Sequence, residues 1–239
     1  MKVALLLSGQ LRQIERGYEF IYKNLIEGYD VDVFIHSWYN SEEENKKFSI
    51  WWESKLSPNS DQKVISLYKP KKYLIEPQKN FDTKTYDASM FEGSYRVNAT
   101  LSMFYSIQKC NELKNTYCIE NNVGYDVVVR CRYDFAIFNK INYENFDTTN
   151  TIYFKDDCAH EPGVCMNDHF AFGPSNLMDI YCNTFNEIEN LYYKHNTLFN
   201  PEIFLGRNLK MLNKINCVNT SIKSGIIRDD NNTFWVSNT

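Results

Sequence analysis

The sequence predicts an α/β protein whose central sheet is mostly parallel. Three short apolar runs, at 3–7, 31–35 and 125–129, have the length and composition of buried strands. The segments over 13–26 and 96–120 carry helical periodicity instead. Strands that alternate with helices are typical of parallel sheets, because parallel neighbours need a crossover connection.

The first two strands and the helix between them form one β-α-β unit. Ile14, Tyr18, Ile21 and Leu25 follow at spacings of four, three and four, which places them on one helical face. Gly28 comes directly after this face and is typical of a helix end. We therefore expect two parallel strands joined by a right-handed crossover.

The rest of the chain continues this alternation with shorter elements. Patterning predicts strands at 73–76, 151–154 and 169–172, and helices over 42–55, 96–120, 176–194 and 201–213. Ser175 is the expected N-cap of the third of these helices, and Asn200 followed by Pro201 begins the fourth. We expect a loop over 77–93. The last 25 residues read as irregular apart from apolar residues at 226–227 and 234–236.

Charge and composition argue against a nucleic-acid partner and against a membrane-inserted chain. The net charge is −4 and no basic cluster stands out, so we expect no nucleic-acid partner. The N-terminal apolar run covers only five residues, and no stretch approaches 18 apolar residues, so we expect neither a signal peptide nor a transmembrane segment. Seven cysteines without a CxxC pair favour reduced thiols and a cytoplasmic location.

The strongest local signal is the polar end of the strand near residue 129. If the extended backbone continues, Arg130, Arg132 and Asp134 point the same way. Ligands of open α/β sheets bind at the carboxyl ends of the strands. Two guanidinium groups and a carboxylate suit a diphosphate with a divalent metal ion. The alternative is an internal Arg–Asp salt bridge that ends the strand.

Two weaker signals lie elsewhere. Ser8, Gly9 and Arg12 follow the first strand, where glycine permits a tight turn or a close ligand, although the segment matches no dinucleotide or ATP fingerprint. Asp168 and His169 precede an apolar strand, and they suit a catalytic base or a site for acceptor hydroxyls. The alternative for this second segment is a simple turn.

Four stretches together resemble the small GT-A-type glycosyltransferases of large DNA viruses, phages and bacterial surface-glycan loci. The stretches are VALLLSGQLR at 3–12, DVFIHSW at 32–38, the segment from Arg96 to Asp134, and NDHFAFG at 167–173 with Pro201-Glu202 downstream. The resemblance implies a three-layer α/β/α sandwich. It also implies one catalytic domain over 1–239, with a nucleotide-sugar-binding part at 1–134 and an acceptor-binding part at 135–239.

The same resemblance implies roles for donor-binding residues. Ser8, Gly9 and Arg12 would lie beside the base or phosphates of a nucleoside-diphosphate sugar, and Arg96 and Asn98 would lie near the donor sugar. Such an enzyme would act in the cytoplasm, or in the host cytoplasm if it is viral.

The resemblance also implies a metal site and a catalytic carboxylate. Arg132-Tyr133-Asp134 stands where the family has its Asp-X-Asp element, so Asp134 alone would bind Mn²⁺ or Mg²⁺. Asp168 would face a glycan acceptor, either as general base or as a group that places the acceptor or stabilises the sugar cation. Two alternatives stay open: a sugar-phosphate nucleotidyltransferase, and a non-catalytic glycan-binding protein on a degenerate transferase fold.

Overall fold

The structure is a computed structural model that describes residues 1–44, 58–89, 94–155, 160–228 and 234–235. Ten strands lie in this part of the chain. In chain order they are β1 (Lys2–Gln10), β2 (Asp30–Trp38), β3 (Lys72–Glu76), β4 (Val127–Cys131), β5 (Phe135–Ile137), β6 (Thr151–Phe154), β7 (Phe170–Gly173), β8 (Asn216–Asn219), β9 (Ser224–Ile227) and β10 (Phe234–Trp235).

The strands form a large sheet and a small one. The large sheet has seven strands in the order β3-β2-β1-β4-β7-β6-β8, and β7 alone runs against the others. The small sheet is antiparallel, with the order β10-β9-β5. The predicted α/β class with a mostly parallel central sheet is confirmed.

Helices cover both faces of the large sheet. They are α1 (Ile14–Ile21), α2 (Ser60–Tyr68), α3 (Ser94–Asn121), α4 (Ser175–Cys182), α5 (Thr184–Glu189) and α6 (Pro201–Gly206). Side chains of β1 alternate between two buried apolar clusters. Leu6 packs in the cluster that contains Phe104 of α3. Leu5 packs in the cluster that contains Ile14 of α1 and Val64 of α2. The result is three layers, with the sheet in the middle.

Several predicted boundaries are wrong. The helix expected over 176–194 begins at Ser175 itself, with Pro174 as its N-cap, and it is interrupted at Asn183. The helix expected over 201–213 leaves α-geometry after Gly206 and continues as a π-helical turn. β5 and β8 were not predicted. Asn200 does cap α6, because its side chain accepts from two backbone N–H groups of the first turn.

Other predictions lie partly outside the described residues. Residues 41–43 form a single 3₁₀ turn, and the remainder of the helix expected over 42–55 lies beyond the described part except for residue 44. Residues 77–88 form the expected loop, and 90–93 are not described. The single domain over 1–239, with a donor-binding part at 1–134 and an acceptor-binding part at 135–239, stays a prediction.

The cysteines depart from the expectation of reduced thiols throughout. Five of them are free, namely Cys110, Cys118, Cys131, Cys182 and Cys217. Cys165 is instead disulfide-bonded and fully buried. Among the described helices, none combines the length and the apolar character needed to cross a membrane.

Candidate functional site at the carboxyl ends of β1 and β4

β1 and β4 are parallel neighbours, so their carboxyl ends meet at one edge of the sheet. Leu7 pairs with Cys131, and Ser8 and Gly9 lie one and two residues further along β1. The Ser8 hydroxyl is buried and has no hydrogen-bond partner among the described residues. Gly9 has a φ of 113°, and no atom lies within 4 Å of the position a Cβ would take. This edge therefore offers an unused hydroxyl beside open space.

Polar side chains connect the end of β1 to the neighbouring loop and helix. The Arg12 guanidinium donates to the side-chain oxygen of Gln10. Gln10 Nε2 donates to Gln78 Oε1 at 3.2 Å, and Gln78 Nε2 donates to Ser102 Oγ at 3.1 Å. Arg12 is thereby held close enough to lower the pKa of Asp134 by its charge.

Arg132 and Asp134 form a salt bridge in a turn after β4. Arg132 donates to both oxygens of the carboxylate, from Nε at 2.8 Å and from the terminal Nη2 at 2.7 Å. Because β4 ends at Cys131, the alternation of faces does not continue, and the expectation that Arg130, Arg132 and Asp134 share one strand face is wrong. The ion pair that the sequence left as the alternative is present.

Buried tyrosine contacts fix this turn. The Tyr133 hydroxyl lies 2.6 Å from Ser37 Oγ at the end of β2 and donates to the Leu7 carbonyl at 3.3 Å. Burial alone would raise the pKa of Asp134, but the charges of Arg132, Arg12 and His169 outweigh burial and leave that pKa below its usual value. Asp134 is therefore a permanently ionised, positioned carboxylate at neutral pH.

The described residues do not provide a complete ligand set for the Mn²⁺ or Mg²⁺ ion predicted at Asp134. Mg²⁺ requires near-octahedral oxygen ligation, whereas the two oxygens of Asp134 already accept from Arg132. In the described part of the chain, no group of three His, Cys, Asp or Glu side chains is placed to hold a metal ion. The metal ion at Asp134 therefore stays a prediction.

Arg130 is a buried cation whose guanidinium is incompletely satisfied. Its side chain is 1% exposed, and Nε and Nη1 have no partner among the described residues. It lies in β4 between Leu6 of β1 and Ala171 of β7. Its charge helps to lower the pKa of Asp168. Burying a guanidinium group whose N–H donors lack acceptors reduces the stability of the fold unless an anion supplies the opposite charge.

Asp168 lies in the segment that leads into β7 and faces several cations. Its Oδ1 lies 3.4 Å from His169 Nε2, and the Asn167 side chain accepts from the His169 backbone N–H at 2.9 Å. The predicted turn is therefore present as well. Burial would raise the pKa of Asp168, yet His169, Arg130, Arg132 and Arg96 together lower it. Burial lowers the pKa of His169 to about 4, so this ring is neutral near pH 7.

The first turns of α3 carry two further predicted residues, and one of them, Arg96, acts on the site. Arg96 acts electrostatically on Asp168 and on Glu202, and its Nε has no partner in the described part of the chain. Asn98 has a different contact: its side chain accepts from the Phe81 backbone N–H at 3.0 Å and so holds the 77–88 loop.

Two residues of the site were not assigned from the sequence. Glu202 lies in the first turn of α6, and burial followed by the charge of Asp168 raises its pKa to about 7. Arg228 follows β9, where burial and the charge of Arg132 lower its pKa while Asp134 acts in the opposite sense. An acid in a first helical turn and an arginine after a strand are common patterns, so neither carries a recognisable signal.

His36, by contrast, has a structural environment. Its Nδ1 lies 2.8 Å from Ser106 Oγ, its Nε2 lies 3.2 Å from Glu76 Oε1, and the ring is fully buried. Burial lowers its pKa to about 4. The ring joins β2 to β3 and α3.

No protein-family profile and no curated protein matches the chain. Among solved structures, the chain is similar to two crystal structures of the glycosyltransferase GlyE from Streptococcus pneumoniae TIGR4, one of them the apo form. Each likeness has a TM-score of 0.44 and 15% identity, and they cover 91% and 92% of this chain. The chain spans 45% of the length of either GlyE chain. A likeness of this extent leaves the activity to be argued from the residues themselves.

Proposed function

We propose that the chain is a glycosyltransferase that moves a sugar from a nucleoside-diphosphate sugar to a hydroxyl acceptor such as a glycan. The observation that supports the proposal best is that five described arginines act electrostatically on two buried, ionised aspartates near the carboxyl ends of β1 and β4. The arginines are Arg12, Arg96, Arg130, Arg132 and Arg228. The resemblance of four sequence stretches to GT-A glycosyltransferases supports the same class.

The charge balance of this cluster favours a multiply charged anion. Among the described residues, the five arginines outnumber the two ionised aspartates, and Nε and Nη1 of Arg130 have no partner there. Guanidinium groups match phosphate oxygens in geometry and remain charged at all relevant pH values. A diphosphate placed between Ser8, Gly9 and the arginines would supply the missing negative charge. A neutral glycan alone would not.

The proposed reaction needs two kinds of group, and both are available. Negative charge grows on the departing nucleoside diphosphate, and fixed arginines stabilise it where a metal ion would otherwise be needed. Positive charge grows on the sugar ring, and the ionised carboxylate of Asp168 is suited to oppose it. Because its pKa is held low, Asp168 is a poor proton acceptor near neutral pH. This favours its predicted alternative role in stabilising the sugar cation.

We also propose that the two predicted parts of the chain divide donor binding and acceptor binding between them. Arg12, Arg96, Arg130 and Arg132 lie within 1–134, the predicted donor-binding part, and Asp168 lies within 135–239, the predicted acceptor-binding part. The cytoplasmic location and the viral or bacterial surface-glycan context stay predictions of the sequence resemblance.

A thermal-shift screen tests donor binding. We expect one class among UDP-, GDP-, CMP- and dTDP-sugars to raise the melting temperature, because a ligand of the folded state stabilises it by mass action. Arg96→Gln should weaken that shift. Arg207→Gln is the control, since Arg207 pairs with Glu161 and is not among the charges that lower the pKa of Asp134 or Asp168.

The screen also separates the alternatives. If none of the nucleotide-sugars raises the melting temperature but glycans do, the result would contradict the proposal and favour a glycan-binding protein. Release of pyrophosphate from a nucleoside triphosphate and a sugar phosphate would instead indicate a nucleotidyltransferase.

A further inference from the structure

Three carboxylates lie at the site, and they differ in what holds them. Asp134 has both oxygens bound by Arg132, and Asp168 lies against His169. Glu202 makes no side-chain hydrogen bond or ion pair with any described residue, although its side chain is largely buried. Asp134 therefore has no free oxygen, Asp168 has one oxygen beside His169, and both oxygens of Glu202 are without a described partner.

The backbone positions Glu202 firmly. Asn200 Oδ1 accepts from the Glu202 N–H at 2.9 Å, and Pro201 begins the helix. The Glu202 carbonyl accepts from the Met166 N–H at 3.1 Å, which ties α6 to the segment that carries Asp168. A side chain on such a support keeps its place relative to the other carboxylate, as a general base requires.

We propose that Glu202 is the general base of the transfer step and takes the proton of the acceptor hydroxyl. This inference rests on the proposed function. The acceptor oxygen forms a bond to the anomeric carbon as its proton passes to the Glu202 carboxylate. The bond from the anomeric carbon to the phosphate oxygen breaks, and its electron pair leaves with the nucleoside diphosphate. The Glu202 proton then passes to water.

The environment of Glu202 agrees with this role. The charged groups that act on it are Asp168, from the segment before β7, and Arg96, from α3. Burial is the main cause that raises the Glu202 pKa to about 7, Asp168 adds to it, and Arg96 opposes it. A base works best when its pKa lies near the operating pH. Two carboxylates whose pKa values are pushed apart divide the acid–base and electrostatic roles between them.

The test follows nucleoside-diphosphate release from the nucleotide-sugar that gives the largest thermal shift. Water and a panel of methyl glycosides serve as acceptors, from about pH 5 to about pH 9. For the unaltered chain, we expect activity to fall as the pH drops below about 7, because protonation removes the base. Glu202→Gln should lower release by on the order of 100-fold or more, with an unchanged thermal shift by the donor. Glu202→Asp should restore part of the activity.

Two controls keep the outcomes distinct. Glu19→Gln changes an exposed acid on α1 and should leave the rate unchanged. Carboxyl ¹³C NMR of the unliganded protein should show a carboxyl that titrates near pH 7 and is missing in Glu202→Gln. Absence of donor binding in the unaltered chain contradicts the proposed function. Donor binding with full turnover in Glu202→Gln, or a Glu202 carboxyl that stays ionised down to about pH 5, overturns this inference alone.

Discussion

Helix α1 crosses the turn that carries Arg132 and Asp134 at a glycine, and a side chain there would have no room. A Cβ built on Gly17 lies 1.7 Å from the carbonyl oxygen of Tyr133 and 2.9 Å from its carbonyl carbon. These are backbone atoms, which cannot swing aside as a flexible side chain can. We predict that Gly17→Ala destabilises the fold and shifts the Arg132–Asp134 turn.

The size of the effect follows from the distance. Nonbonded heavy atoms pack favourably at about 3.5 Å, so the helix or the turn must move by roughly 1.8 Å to relieve the contact with the Tyr133 carbonyl oxygen. Overpacking against backbone atoms should cost about 3 kcal/mol, the upper end of the usual range, and the better helix propensity of alanine offsets about 1 kcal/mol. We expect the free energy of unfolding to fall by about 2 kcal/mol. In a chain of this size, the melting temperature should then drop by about 4–8 °C.

Urea denaturation and thermal melting measure this loss, and donor affinity reports the shift of the turn. Gly124→Ala is the matched control, because no atom lies within 4 Å of a Cβ built there. Wild-type stability in Gly17→Ala would refute the close approach of α1 to the Tyr133 carbonyl, and with it the account of how the turn is positioned.

Three further predictions concern the site. Ser8→Ala removes a buried hydroxyl without a described partner, so stability should stay unchanged in urea melts while donor affinity falls by about 3- to 10-fold by calorimetry. Asp168 has a lowered pKa, so its stabilisation is present above the usual value of 3.8 and lost as the pH falls through the lower folded value. In Asp168→Asn, the free energy of unfolding from urea melts should therefore fall less steeply as the pH drops below 3.8. The same steep fall in the variant would contradict a stabilising role for the ionised Asp168. Because Arg132 already binds both oxygens of Asp134, EDTA should leave the rate of nucleotide release unchanged. A rate that EDTA abolishes and only Mn²⁺ restores would instead support the metal ion predicted at Asp134.

Long periodic elements and short apolar strands could be predicted from the sequence, whereas short strands with few apolar residues could not. α3 was expected over 96–120 and spans Ser94–Asn121, because a wide apolar face repeats along it. β8 contains only Cys217 and Val218 as apolar residues, and its strand conformation comes from pairing with β6. The break at Asn183 likewise depends on how α4 and α5 pack, which periodicity does not report.

The candidate site was predictable in its residues more than in its geometry. The polar residues at the end of β4 predicted Arg130, Arg132 and Asp134 as site residues. Their mutual arrangement depends on a turn after Cys131, which the alternation of strand side chains does not predict. Glu202 gains its character from burial near Asp168, which lies 34 positions earlier in the chain. Only the tertiary structure brings these two carboxylates together.

If the arginine cluster holds a diphosphate, calorimetry should show that a nucleoside diphosphate binds more tightly than its nucleoside. The base chosen is the one that gives the thermal shift, and both titrations contain EDTA. Charge-assisted hydrogen bonds contribute about 1.5–3 kcal/mol each. We therefore predict that the diphosphate binds at least about 100-fold more tightly than the nucleoside, and that Arg96→Gln narrows the difference. Equal affinity for nucleoside and diphosphate would contradict the account.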